Sequence, residues 1–400
     1  MLKKALFTLL LSVTLSTIQS NAQNSDKEWS ELGKVENTTY YSEIPFRYID
    51  GYIFIDIIQN GKTYNFLFDT GAEGTILDKS ILKEFDYRAF SESNIGGPLV
   101  KNQNVEKIII SEIHLADIVF SEIGGIAIEM EFTKEKFCDE LHGIIGSNLM
   151  KKAKWQIDYK NQVIKLSNNI STFLLEDPQY VMETKLKAKG FGSETIDITF
   201  NGITMPFDFD TGNGSGKIVT NPKSYKKVIK KSNALEYGFK KSDKDYYLIP
   251  EKLLIGGVEF SNQLVSLENG VGNHRLLGNR FYENFIVTVD WENHQLYLAP
   301  YGEIEKDELF EFPLKFKANY NSNKVVIASG LSEFLKANKI KEGSVVSRVN
   351  DVEISSLSDN EFCEFWNSQW KDLMREKSIE ITVLKDGKEQ KINLKKDSLS

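Results

Sequence analysis

Asp69 and Asp210 are the residues whose type and spacing point to chemistry. Each opens an Asp-Thr-Gly triplet, and each triplet closes one copy of a short repeat. Residues 55–71 read IDIIQNGKTYNFLFDTG, and residues 196–212 read IDITFNGITMPFDFDTG. The copies lie 141 residues apart and agree at eleven of seventeen positions. Both run through an aromatic-x-aromatic step, Phe66-Leu67-Phe68 and Phe207-Asp208-Phe209, into the acid. Self-similarity of this kind marks a duplicated unit and governs the whole reading of a fold. Two such units facing each other across a two-fold would bring the carboxylates together. Carboxylates about 3 Å apart do not both ionise cheaply, so they share one proton. The ionised partner takes a proton from water as general base, while the protonated partner donates a hydrogen bond to the carbonyl under attack. Such a pair hydrolyses amides without a covalent enzyme intermediate.

The elements that position these acids are also duplicated. Ile144-Ile145-Gly146 in the first half answers Leu276-Leu277-Gly278 in the second. From each late glycine it is twelve residues to an aspartate, Asp158 or Asp290, and eight more to Leu166 or Leu298. WQIDYKNQVIKL and VTVDWENHQLYL therefore both read as strand–turn–strand. The offset falls from 141 at the acids to 132 at the glycines, so the second half is shorter by about nine residues in between. Alternation over Tyr52–Ile57 and the Asn60-Gly61 and Asn201-Gly202 pairs signal hairpins ahead of each motif. Gly71 and Gly212 permit the reversal after it. A single Asp-Thr-Gly is an ordinary turn, in which Asp caps, Thr bonds locally and Gly reverses the chain. Two in register, with matching glycines downstream, carry the functional reading.

Taken together, these motifs resemble aspartic proteases of the retropepsin and pepsin type, in a two-lobed single-chain form. They most resemble the bacterial exported proteins that join a retropepsin-like pair of lobes to a C-terminal PDZ domain. The matching residues are Asp69-Thr70-Gly71-Ala72, Asp210-Thr211-Gly212 and the two apolar-apolar-Gly signals, over about residues 45–302. The resemblance implies a mainly β fold: two homologous retropepsin-like β-barrel lobes, residues 45–168 and 169–302, plus a PDZ-like α+β domain at 311–397. It implies Asp69 and Asp210 as the catalytic pair, on loops completed by Thr70, Gly71, Ala72, Thr211, Gly212 and Asn213. Thr70 and Thr211 would hydrogen-bond across the lobes. Ile144, Ile145, Gly146, Leu276, Leu277 and Gly278 would pass beneath those loops, where glycine alone leaves room. A substrate-covering flap is expected at Asn94, Ile95, Gly96 and Gly97; the plain alternative is a surface turn. The second-lobe counterpart near Ala234–Tyr247 is rich in Lys and Asp, so one working flap is expected.

Some positions depart from the pattern. Ala72 and Asn213 stand where pepsin-like enzymes carry Ser or Thr, and the flap segment has no Tyr. A hydroxyl at those places would stabilise the ionised carboxylate, so its absence points to activity nearer neutral pH. The loop Asp210–Gly216 reads as one residue longer than the first before its strand resumes, with three glycines. Gly212-x-Gly214-x-Gly216-Lys217 fails the spacing of a phosphate loop. The four histidines, at 114, 142, 274 and 294, lack metal-ligand spacing, and His142 reads as structural. No metal or cofactor is expected.

Four hundred residues with 41% apolar content allow two to three domains. A net charge of −8 and a pI near 5.4 leave no basic footprint for nucleic acid. Lys3-Lys4, an apolar run to about Val13 and Ser20-Asn21-Ala22 read as a signal peptide, residues 1–22, cut before Gln23. The alternative, an uncleaved anchor, would need a longer apolar run. The expectation is therefore export, to the periplasm or beyond, with no stable membrane anchor. Residues 23–44 read as a linker, and Gln23–Thr39 as disordered. Cys138 and Cys363 fall in different expected domains and read as two free thiols.

In the C-terminal region a strand at Lys324–Ile327, a helix at Leu331–Asn338, a helix from Glu361 and a hairpin over residues 378–395 turned at Asp386-Gly387 give the PDZ-like order. Asn338-Lys339 replaces the Ala-Gly common in PDZ domains, and no Gly-Leu-Gly-Phe loop is present. Two uses stay open: a groove that adds a peptide strand, or a module that stabilises the lobes. The whole reads as a monomeric exported aspartic endopeptidase acting on peptides or proteins. The alternative is a catalytically silent peptide-binding scaffold of the same fold.

Overall fold

A computed structural model describes residues 26–398, apart from 96–102, 132, 134–135, 139, 175–181, 189–193, 201, 215, 226–234, 238–244, 262, 269–273, 305–309 and 386–387. Residues 1–22, read above as a signal peptide, together with Gly96, Gly97, Asn201, Ser215, Asp386 and Gly387, thus lie outside the described residues. The fold is mainly β.

The repeat folds twice in the same way. In the first copy Tyr52–Gln59 pairs with Lys62–Phe68, turned at Asn60-Gly61 with φ of 51° and 74°. Positive φ at both residues is the geometry that Asn-Gly supplies for a tight hairpin. Lys62–Phe68 then runs parallel to Gly143–Ile145, with Phe68 opposite Ile145. In the second copy Glu194–Phe200 pairs with Ile203–Asp210, which runs parallel to Arg275–Gly278 with Phe209 opposite Leu277. The 141-residue and 132-residue offsets of the sequence are therefore both met in one pairing.

The segments between motif and late glycine differ. The first half forms a long hairpin, Tyr87–Ile95 against Gln103–Leu115, backed by Ile118–Ile128. The second half has the shorter pair Leu235–Tyr237 and Asp245–Leu248, backed by Val265–Leu267. The two halves share a sheet, because Lys154–Asp158 pairs antiparallel with Phe285–Asp290. One hydrophobic core runs through both, from Tyr40 to Leu298, and holds Phe66, Phe68, Phe207 and Phe209 out of water. The aromatic residues before each acid thus lock both loops to that core.

A third unit follows, with its own core from Phe312 to Leu394. Its strands Leu314–Asn319, Lys324–Gly330, Val345–Val349, Ser378–Lys385 and Lys388–Lys395 pair in that order. Ser332–Ala337 is a short helix. A longer helical stretch begins at Asp359 under a capping box made by Ser358 and Glu361 and ends at Arg375.

Two expectations are corrected here. The 23–44 segment is not a disordered linker from residue 26 onward. Residues 26–31 are helical, Lys34–Val35 pairs with the strand Ile118–Ile128, and Tyr41 already begins a strand. Trp29 is the cause: it is 5% exposed, its indole N–H donates to the Ile108 carbonyl at 2.9 Å, and Gly124 leaves room for it. Cys138 and Cys363 are not free thiols but a disulfide. The bond spans 225 residues, and docking of the C-terminal unit brings the Cα atoms to 5.7 Å, within bridging range.

Candidate active site

The strands Lys62–Phe68 and Ile203–Asp210 end side by side and deliver Asp69 and Asp210 to one place. The contact is tight enough that glycine is required on both sides. A Cβ on Gly71 would lie 2.4 Å from Asp210 Oδ1, and one on Gly212 would lie 2.2 Å from Asp69 Cγ. The two carboxyl groups are close enough for each to shift the other's proton affinity.

Thr70 and Thr211 hold the loops through four hydrogen bonds that exchange the two copies. The Thr70 N–H donates to Thr211 Oγ1 and the Thr211 N–H to Thr70 Oγ1, both at 2.9 Å. The Thr70 hydroxyl donates to the Phe209 carbonyl at 2.7 Å, and that of Thr211 to the Phe68 carbonyl at 2.9 Å. Both threonines are buried, 1% and 0% exposed, so each bond sits in a low dielectric and is hard to replace with water.

Backbone amides face the acids. Asp69 Oδ1 accepts from the Gly71 N–H at 2.8 Å and the Ala72 N–H at 3.1 Å. Asp210 Oδ1 accepts from the Gly212 N–H at 2.9 Å. Burial nonetheless dominates and raises both proton affinities. For Asp69 those amide bonds, the Asp210 carboxyl and the charge of Lys136 oppose the rise. For Asp210 the neighbouring Asp69 charge adds to it, and the pair holds a proton well above the ordinary carboxylate range.

The late glycines lie beneath the loops. A Cβ on Gly146 would come within 2.4 Å of the Gly74 carbonyl oxygen, and one on Gly278 within 2.5 Å of that of Gly216. Ile144 and Ile145 are buried in the strand before Gly146, and Leu277 is buried before Gly278. Leu276 is half-buried at the same sheet. Asn213 is buried, and its carbonyl accepts from the Asn279 N–H, just as the Ala72 carbonyl accepts from the Ser147 N–H.

The second loop is two residues longer than the first, not one. Ile76 sits opposite Ile144, and Val219 sits opposite Leu276, its repeat partner. Ile76 and Val219 are 143 apart, against 141 for the acids. The surplus shows only in the strand register. Asn94 and Ile95 end the strand Tyr87–Ile95, opposite Asn104 and Gln103. The tip they lead to, with Gly96 and Gly97, lies outside the described residues.

No protein-family model matches the chain, and no curated protein matches it in sequence. Among solved structures it is similar to Basic 7S globulin from soybean. That likeness has a TM-score of 0.42 at 11% identity, over 65% of this chain and 95% of the other. It describes a distant neighbour of a mainly β chain.

Several supporting residues were not singled out in the sequence. Asn148 takes the Thr75 N–H and hydroxyl on its Oδ1 and donates to the Gly124 carbonyl at 2.6 Å. Asn279 donates to the carbonyls of Thr211 and Gly51 and accepts the Tyr159 hydroxyl at 2.6 Å. Arg280 Nε donates to the Gly214 carbonyl at 3.1 Å. Their signal was position alone: each follows a late glycine by one or two residues. His142 is structural, its Nδ1 accepting the Asn65 N–H at 3.2 Å. Among the described residues, no group of three or more His, Cys, Asp or Glu is placed to hold a metal ion.

Proposed function

We propose that this chain is an aspartic endopeptidase, with two retropepsin-like lobes meeting at Asp69 and Asp210. The observation that carries the reading is the pair itself: a half-buried and a buried carboxyl, each packed against the glycine of the other's loop, on loops interlocked by Thr70 and Thr211. Such a pair holds one proton over a wide pH range. A water between the acids gives its proton to the ionised carboxylate and attacks the peptide carbonyl, while the other carboxyl polarises that carbonyl. The tetrahedral species collapses as the leaving amine takes a proton from the pair. The amide donors facing Asp69 hold the ionised form in place for this step.

Substrates in this reading are peptides or unfolded protein segments, covered by the hairpin that ends at Ile95 and resumes at Gln103. The N-terminal segment supports export to the periplasm or beyond. In this reading the C-terminal unit is PDZ-like, which its succession of strands and helices supports. Strand addition needs an open sheet edge. Lys324–Gly330 is flanked on both sides, by Leu314–Asn319 and Val345–Val349. Among the described residues the sheet ends at Leu314–Asn319 and Lys388–Lys395.

The test is digestion of an unbiased peptide library by the full chain. Wild type is expected to cut internal bonds, with Asp69→Asn and Asp210→Asn each slower by about a thousandfold or more. Binding of library peptides without cleavage would select the silent-scaffold alternative.

A further inference from the structure

We infer that the C-terminal unit is locked against the candidate site and positions the second Asp-Thr-Gly loop, through the Cys138–Cys363 disulfide and through Asp50. Its effect on catalysis rests on the peptidase reading; the lock itself does not.

The lock is built on one face of the helical stretch that begins at Asp359. Cys363, Trp366, Asn367 and Lys371 recur at helical spacing and share that face. Cys363 is bonded to Cys138, in the loop between Ile128 and Gly143. Asn367 Nδ2 donates to Cys138 Sγ at 3.4 Å. The Trp366 indole N–H donates to Asp50 Oδ2 at 3.2 Å, and Lys371 Nζ stands 3.6 Å from Asp50 Oδ1. Trp366 is 9% exposed and stacks on Trp370, so the donor is held by its own core. The unit also reaches the second half, where Lys315 Nζ donates to the Tyr247 hydroxyl and lies 4.6 Å over the ring.

Both anchored segments of the first half converge on Gly214. Asp50 and Gly51 form a hairpin turn with φ of 56° and 84°. A Cβ on Gly51 would lie 2.3 Å from the Gly214 carbonyl oxygen, so the two backbones are in direct contact. The Gly51 carbonyl accepts Asn279 Nδ2 at 2.8 Å, and the same amide donates to the Thr211 carbonyl. From the cysteine loop, Lys136 Nζ lies 4.6 Å over the Tyr52 ring, and a Cβ on Gly214 would lie 2.7 Å from that ring. Gly214 is two residues beyond Gly212, whose N–H faces Asp210. Asp50 is thus a positioning residue: it touches no reacting atom and transmits the docked unit to the loop of Asp210. A tether for a free adaptor needs none of these contacts.

The experiment compares the full wild-type chain with Cys138→Ser/Cys363→Ser and with Trp366→Phe, which keeps an aromatic ring and removes the N–H. Non-reducing peptide mapping is expected to return a 138–363 crosslinked pair in wild type. Amide hydrogen exchange around residues 49–52 and 211–216 is expected to speed up by about tenfold in the double variant and by a smaller factor in Trp366→Phe. The hairpin Phe285–Pro300, which takes part in none of these contacts, should keep its wild-type rate. Peptide cleavage is expected to lose about tenfold in kcat with little change in KM, as for a mispositioned acid. Absence of the crosslinked pair, or unchanged exchange at 211–216 in both variants, overturns the inference. So does acceleration spread evenly over the chain, which would make the bond a general staple. If the double variant does not fold, Trp366→Phe alone decides. If wild type cleaves nothing, the peptidase reading fails while the exchange result still stands or falls by itself.

Discussion

Leu67 in the first copy of the repeat is matched by Asp208 in the second, two residues before each catalytic candidate. Around that one difference the two loops diverge. Asp69 is half-buried and faces the amides of Gly71 and Ala72, with the Lys136 charge also favouring its ionised form. Asp210 is 9% exposed, and the Asp208 charge further disfavours its ionised form. The first loop closes within its own half, where Ser147 Oγ donates to the Ala72 carbonyl at 2.9 Å. The second, two residues longer, is held in its own half by Arg280 on Gly214, and Asn279 also ties it across to Gly51 of the first half. A duplicated motif has therefore become an unequal pair. One carboxyl is fitted to be ionised and the other to keep the shared proton, although the titration belongs to the pair.

Removing what the two loops have in common should have the largest effect on stability. Thr70→Val and Thr211→Val keep shape but leave a buried N–H and a buried carbonyl unpaired. Each should cost about 2–4 kcal/mol in denaturant unfolding, with the two changes far from additive because they share one network.

Erasing the difference should sharpen the pH profile. Asp208→Leu restores the first-copy residue and removes a charge that raises the Asp210 proton affinity. The pair should then lose its last proton at lower pH, so the alkaline limb of cleavage moves toward acid while the peak rate changes by less than about threefold. An unmoved alkaline limb would show that Asp208 does not bias the pair.

The smallest effect is expected from Ala72→Ser, which adds a hydroxyl beside Asp69. A hydrogen bond to the ionised carboxylate lowers its proton affinity, so the acidic limb should move to lower pH without a large change in rate. A shift toward neutral pH would contradict this account of position 72.

The sequence shows the parts of this arrangement that are local or repeated. Both hairpins, both Asp-Thr-Gly ends and both late glycines follow from matched residues at fixed offsets. Interactions that cross between units left no such mark. Asp50-Gly51 reads as an ordinary hairpin turn, and only the fold places it against Gly214. The two-residue surplus of the second loop depends on strand register, which the glycine-rich stretch hides. Cys138 and Cys363 gave no pairing signal across 225 residues, since the docking that joins them is made by Trp366 and Asp50. The segment before Tyr41 reads as a linker because its anchors are scattered single contacts: Trp29 over Gly124, Asp26 on Lys107 and the two-residue strand Lys34–Val35.

The shared proton can be tested without knowing a substrate. Denaturant unfolding of wild type and Asp210→Asn would be followed from about pH 4 to pH 8. A carboxyl whose folded proton affinity is raised contributes stability at low pH, and that contribution is lost as pH climbs from the ordinary carboxylate range through the raised value. The Asn variant keeps the acceptor for the Gly212 N–H and carries no such proton. Asp210→Asn is expected to become the more stable protein as pH rises, by about 1–3 kcal/mol near neutrality. A stability difference that stays constant across the range would contradict it.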